Sequence, residues 1–341
     1  MSKLKTVFNS AVPAALATLV AAATLTACSS NTANAEGLKV VATTTQVCDY
    51  IKQIAGTEVP LDLTCLLSPN ASAHEYEPTS AQMSKLASAD LFFENGVGLE
   101  TYMDSALSSS GFKGTRILTA GVDGDGNRTD NTAQAVDVAP WPFGPDDDGE
   151  DFTYDPHVWM SVNNAIIQVQ NIGDALASAD SEHADVIASR TKEVISSYEA
   201  LDQWIKESFQ TVPAEHRVLF TSHDAFGYFC AAYGLTYIGT ALSDFSDQND
   251  ATAAHIAQAA QAVRDSGATA IFAEHSNSAK SIEAIASAAG VKAYTSDDAL
   301  YGDSLGPDMT YAQSMIHNVN VLVDAWGGSQ IDVPAAATSV N

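Results

Sequence analysis

The sequence predicts an α/β protein of two lobes, each a mostly parallel sheet flanked by helices, joined by a long rigid connecting helix. Apolar runs of strand length alternate with helical patterns from Lys39 to Leu118 and again from Arg217 onward. Such alternation is how helix-covered parallel sheets read. Between the two series, His183 to Gln210 contains neither proline nor glycine and carries Ile187, Val194, Tyr198, Leu201, Ile205 and Phe209 at steps of three, four or seven. That spacing lines one helical face with apolar side chains. At 1.5 Å per residue the helix is roughly 40 Å long, enough to bridge two lobes and too short a stripe for a coiled coil. A chain of 341 residues, 46% of them hydrophobic, can bury a sizeable core in about two domains.

Residues 1–27 read as a signal peptide: Lys3 and Lys5 precede an uncharged, alanine-rich run to Leu25, which is short for a membrane span. Leu25-Thr26-Ala27-Cys28 resembles the bacterial lipobox, which makes Cys28 the expected lipidation site. The small polar residues that follow make 28–37 a flexible, lipid-anchored leash. Residues 38–181 are assigned to an N-terminal lobe, 182–211 to the connecting helix and 212–341 to a C-terminal lobe.

Within the first lobe, strands are expected at Lys39–Thr44, Val59–Leu67, Leu91–Glu94 and Arg116–Leu118, with helices from Val47, Ser80 and Leu99. In the second, strands are expected at Arg217–Thr221, Thr236–Ile238, Ala270–Ala273 and Lys292–Tyr294, with helices from Ala225, Thr252, Ala279 and Thr310. The stretch 123–151 breaks the pattern. It holds nine acids, one base (Arg128) and several Gly and Pro, so it is expected to be a mobile acidic insertion. Its start, Asp123-Gly124-Asp125-Gly126-Asn127, opens like a calcium loop, but Arg128 and Gln134 stand where that loop needs Gly and a bidentate Glu.

Formal net charge is −27, and loss of Lys3 and Lys5 with the leader would take it to −29. Such an excess argues against nucleic acid and anionic membrane surfaces, and attracts cations. With Cys28 lipidated, Cys48, Cys65 and Cys230 remain. Outside the cell a disulfide is allowed, and Cys48 at the start of the first helix could lie near Cys65 at the end of the second strand; sequence leaves the pairing open. Cys230 reads as a small buried apolar residue.

The chemistry gathers on loops. His74 lies in the turn-rich Ser68–Pro78, after a strand, where open α/β sheets place ligands. Tyr154-Asp155-Pro156-His157-Val158-Trp159, Thr221-Ser222-His223-Asp224-Ala225-Phe226-Gly227-Tyr228-Phe229 and Tyr301-Gly302-Asp303-Ser304-Leu305-Gly306 each place a donor beside a strand or helix start. Three imidazoles and one carboxylate complete a set for one divalent ion.

These stretches, with Val40-Val41-Ala42-Thr43-Thr44 and His74-Glu75-Tyr76-Glu77-Pro78, resemble the metal-receptor proteins of zinc and manganese ABC importers. The likeness covers nearly all of the mature chain; before His74, Asn70-Ala71-Ser72-Ala73 replaces the family's usual Gly/Asp/Pro-rich turn. The resemblance implies metal ligands His74, His157, His223 and Asp303, two from each side of a connecting helix that limits lobe motion. It implies a monomeric extracytoplasmic lipoprotein, anchored to the bacterial cell membrane, that delivers its ion to an ABC permease and its ATPase. Histidine at position 223, where manganese receptors of the family tend to carry Glu, points to Zn²⁺ as the transported ligand, with Mn²⁺ or iron as the alternative.

Glu274 and His275 follow a strand and are kept as supporting or spare ligands, and Asp155, Glu75 and Asp224 could orient imidazoles. Tyr76, Trp159, Phe226 and Tyr228 would wall the site from water or belong to the core. His183, His216, His255 and His317 read as surface or helix-end residues. Two other function classes compete with this reading. A secreted metallohydrolase is disfavoured because the chain lacks His-Glu-x-x-His and the four donors fill a tetrahedral ion. A surface adhesin would need a partner-binding patch. The chain also lacks a P-loop, so transport energy must come from a partner.

Overall fold

A computed structural model describes residues 37–74, 76–141, 152–240 and 252–340. Residues 1–36, Cys28 among them, and Glu75 lie outside them, as do 142–151 of the acidic stretch. The described residues form a single compact unit.

The first lobe is built on β1 (Leu38–Ala42), β2 (Leu61–Cys65), β3 (Leu91–Glu94) and β4 (Thr115–Leu118), all parallel in the order β2-β1-β3-β4. Helices α1 (Thr45–Ala55), α2 (Ser80–Ala87) and α3 (Met103–Ser110) connect them. The second lobe repeats the plan: β5 (Val218–Thr221), β6 (Thr236–Thr240), β7 (Ala270–Phe272) and β8 (Lys292–Tyr294) run parallel in the order β6-β5-β7-β8. Its helices are α6 (Gly227–Tyr233), α7 (Ala253–Ser266), α8 (Lys280–Ala289) and α9 (Tyr311–Ala325), while α4 (Val162–Ala179) and α5 (Ala184–Gln210) lie between the lobes in sequence.

Alternation along the strands explains how both faces of each sheet are covered. Val40, Ala42, Leu91 and Phe93 face one large core, and Val41 and Phe92 face a smaller outer one beneath α2 and α3. In the second lobe Leu219, Ala270 and Phe272 join the same large core, and Val218, Phe220 and Ile271 face a separate one under α7 and α8. A parallel sheet buried on both faces needs such near-continuous apolar strands. The large core runs from α1 through α4 and α5 to α6 and α9, so apolar packing is continuous between the lobes. The stripe Ile187, Val194, Tyr198, Leu201, Ile205 and Phe209 is buried along α5. Gly173 lets α4 approach α5 closely, since a Cβ there would lie 2.2 Å from Thr191 Oγ1.

Local chemistry moves several element ends from their sequence positions. Thr44 caps α1 by accepting from Val47 N, which starts the helix at Thr45, earlier than expected. Helix α3 starts at Met103, not Leu99. The buried Glu100 carboxylate instead accepts Asn95 N, Gly96 N and the Thr43 hydroxyl, fixing 95–100 as a turn. Thr79 with Gln82 and Thr310 with Gln313 form reciprocal caps on α2 and α9. The expectation of a mobile loop beginning at 123 fails as far as Trp141. Asp123 Oδ1 accepts Asp125 N and Asn127 N, Val136 is in the core, and Gln134 N donates to Asn171 Oδ1. Composition missed this because a few backbone and carboxylate anchors suffice to order a polar segment. Cys48 and Cys65 form a disulfide, and Cys230 is free and buried.

Candidate metal centre

Each sheet changes direction at its first strand: β2 and β3 flank β1, and β6 and β7 flank β5. Crevices at such reversals, beyond the carboxyl ends of the strands, are where open α/β sheets bind ligands. His223 follows β5 after Ser222, Glu274 follows β7, His74 lies on the loop from β2 to α2, and Asp303 on the loop from β8 to α9. His157 closes the long connection from β4, next to the single turn Val158–Met160 that leads into α4.

The four side chains expected from sequence meet. One potential ligand atom from each of His74, His157, His223 and Asp303 lies within 4.8 Å of all the others, and all four residues are buried. His74 Nε2 is 3.0 Å from His157 Nε2. Asp303 Oδ1 is 3.7 Å from His74 Nε2, 3.6 Å from His157 Nε2 and 3.4 Å from His223 Nδ1. Two donors on one zinc ion, with bonds of about 2.1 Å at the tetrahedral angle, lie about 3.4 Å apart. These four separations fall around that value, and with every pair within 4.8 Å an inward movement closes the donors on one ion.

Neighbours set the rings. Asp155 Oδ1 faces His157 Nδ1 at 2.8 Å and accepts its backbone N–H at 3.0 Å, leaving Nε2 to point at the other donors. This is the carboxylate–imidazole support that metal-binding histidines use. Glu274 Oε2 stands 3.4 Å from His223 Nδ1, and the Glu274 backbone is fixed by its N–H donating to Ser222 Oγ at 2.9 Å. Gly302 makes room for the carboxylate: a Cβ there would lie 2.0 Å from Glu274 Oε2.

Burial and charge pull the titrations apart. Desolvation keeps His74 neutral by pushing its pKa well below the usual value, with His157 and His223 adding to the effect and Asp303 opposing it. For His157, burial is outweighed by Asp155 and Asp303, and the pKa rises. For His223, burial is outweighed by Asp303 and Glu274, which lift it to about 10. Burial alone would raise Asp303, but the surrounding imidazoles hold it well below the usual carboxylate range. A concentrated negative field among neutral-capable imidazoles suits a divalent cation.

The remaining expectations divide. Trp159 packs on the His157 ring, with centroids 5.4 Å apart. Tyr76 packs on Tyr102 and Phe226 on Phe229, as core. Asp224 takes the Tyr237 hydroxyl. His275 is not a spare ligand; its ring stacks on Tyr301 at 4.2 Å. Sequence reasoning missed Trp141, 6.2 Å from the His157 ring, and Phe152, 5.6 Å from the His74 ring. They sit on either side of the acidic run, where composition drew attention to charge.

Residues 40–325 match the family described as zinc-uptake complex component A, periplasmic. The chain belongs to this family. As a zinc-uptake component A protein it resembles the manganese-binding lipoprotein MntA of Bacillus subtilis, 30% identical over 91% of this chain and 97% of the relative. It also resembles the zinc-binding protein TroA of Treponema pallidum, at 29% over 87% and 91%. The manganese ABC transporter substrate-binding lipoprotein PsaA of Streptococcus pneumoniae is 29% identical over 76% of this chain and 81% of that protein. The solved structure of the periplasmic zinc-binding protein TroA superposes with a TM-score of 0.71 at 26% identity, covering 85% of this chain and 99% of that one. Zinc-uptake component A proteins are solute-binding proteins of ABC importers and not enzymes. This member therefore binds a metal ion outside the cytoplasm and works with a permease and an ATPase.

Proposed function

We propose that this chain captures Zn²⁺ between its lobes through His74, His157, His223 and Asp303 and delivers it to the permease. It does so as a monomer tethered by lipid at Cys28, a residue outside those described. The observation that supports zinc is the donor set: three imidazoles and one carboxylate at spacings fitted to a four-coordinate ion. A third imidazole suits borderline Zn²⁺, whereas Mn²⁺ favours oxygen donors and higher coordination.

Manganese is the competing reading. MntA and PsaA are named for manganese, and Glu274 places a second carboxylate beside His223. In vitro affinity alone does not separate the two, because the Irving–Williams order favours Zn²⁺ over Mn²⁺ at almost any such site. The deciding experiment is in cells. Deletion of the gene is expected to impair growth under metal chelation, with rescue by zinc and not by manganese; rescue by manganese alone would assign the receptor to manganese. Elemental analysis of the purified protein should find one transition metal per chain.

A further inference from the structure

The loop that carries Asp303 is held by the opposite lobe. Gly302 O accepts the Trp159 indole N–H at 2.8 Å, and Asp303 O accepts Gln46 Nε2 at 3.1 Å. Leu305 N donates to Thr45 Oγ1 at 2.8 Å, and Leu305 O accepts Asn70 N at 3.2 Å. All four partners belong to the first lobe, and Thr45 and Gln46 are the first two residues of α1. Thr45 Oγ1 in turn donates to Gln46 Oε1 at 3.1 Å, so the two side chains act together. The loop's own lobe secures it at its ends. Asn318 pairs with both backbone groups of Tyr301 at 2.8 Å, and Gly306 O accepts Met309 N at 3.2 Å.

The converse holds for the loop that carries His157. Tyr228, on α6 of the second lobe, accepts Ala139 N at 2.9 Å and donates to Asp155 O at 3.0 Å. The preceding Gly227 leaves space for the Asp155 carboxylate, since a Cβ there would lie 2.6 Å from Asp155 Oδ2. Asp155 is the residue that turns the His157 ring.

We propose that Thr45, Gln46 and Tyr228 are positioning residues that hold each lobe's ligand loop from the other lobe and thereby set how slowly bound metal leaves. The proposal rests on reading the four buried donors as the metal site. Parting the lobes strips the backbone of 302–305 of these partners and releases Asp155 from Tyr228, so Asp303 and His157 lose their geometry in one movement. Closure and coordination are therefore one equilibrium, and whatever eases opening speeds release. Capture proceeds from the open state and depends on encounter, so it is insensitive to the same groups.

The test is zinc release from the full mature chain, measured by stopped-flow competition with a chelator, alongside the association rate. Thr45→Val, Gln46→Leu and Tyr228→Phe are each expected to raise the release rate about tenfold, the factor that one lost buried hydrogen bond is worth. Association should stay within about twofold of wild type, since related interfaces differ mostly in release. Thr45→Ser, which keeps the hydroxyl, should restore slow release, and metal-free melting temperatures separate positioning from misfolding. If wild type holds zinc and all three variants release it at the wild-type rate, or Thr45→Ser behaves as Thr45→Val does, the positioning role is overturned and the metal site stands. If wild type holds neither zinc nor manganese, both fall.

Discussion

His157 shows how one imidazole is prepared for a metal. Its Nδ1 is engaged by Asp155 at 2.8 Å, so the neutral ring can present Nε2 to an ion. Asp155→Asn should weaken zinc binding by about 10- to 100-fold, the usual loss when such a support is removed, with competition titration as the measurement. Glu274→Gln should also weaken binding by removing a negative charge beside His223 Nδ1, and a wild-type affinity would deny Glu274 that part. The metal-free site also stores a proton. His223, lifted to about 10 by Asp303 and Glu274 against its burial, is protonated at pH 7 and must lose that proton to bind metal. Affinity should therefore rise with pH between 6 and 8, by about tenfold per unit for one released proton. Calorimetry in buffers of different ionisation heat counts the protons. The four donors were legible in sequence because each lies in a motif with a resembling family pattern. Gln46 was not, because its partner Asp303 is 257 residues away and only folding joins them.

Among the elements, α5 was the most legible, since a run of period 3.6 with no breaker leaves few alternatives. Its packing against α4 was not, because a lone glycine in a helix gives no hint of what faces it. Alanine usually favours a helix over glycine by about 1 kcal/mol, yet at Gly173 the new Cβ would meet Thr191. Gly173→Ala should therefore destabilise the protein by about 1–3 kcal/mol, the usual cost of overpacking, as read by urea unfolding. The junction of α1 and α9 supplies a pH dependence. Asp49 Oδ2 accepts Tyr311 N at 2.7 Å and Gln53 Nε2, and burial raises Asp49 to about 6 despite those bonds. A folded value above the unfolded one favours the protonated form, so its contribution is whole below pH 4 and lost as pH rises through 6. Asp49→Asn keeps one oxygen for both donors. It should raise stability at pH 7 by up to about 3 kcal/mol and leave it unchanged near pH 4; an equal effect at both would show that Asp49 is charged in the fold throughout.

At the scale of the molecule, the proposed site takes two donors from each lobe, which makes metal binding a property of the closed chain. Saturating zinc should raise the melting temperature, since an ion held only by the native state stabilises it by mass action. His157→Ala should remove most of that rise. The net charge of −27 acts over longer range, and its attraction for cations should fade with salt. Deleting 142–150, and not the anchored residues before it, should leave one tight site and reduce weak extra binding at low ionic strength. The Cys48–Cys65 bond has a consequence in time as well as in space. It closes a 17-residue separation that contains most of α1 and all of β2, and cross-linking a loop of that size is worth about 3 kcal/mol. A reducing cytosol withholds that contribution while the chain is being made, and the oxidising side of the membrane grants it. The helix whose start grips the Asp303 loop therefore gains that contribution only where the surroundings are oxidising.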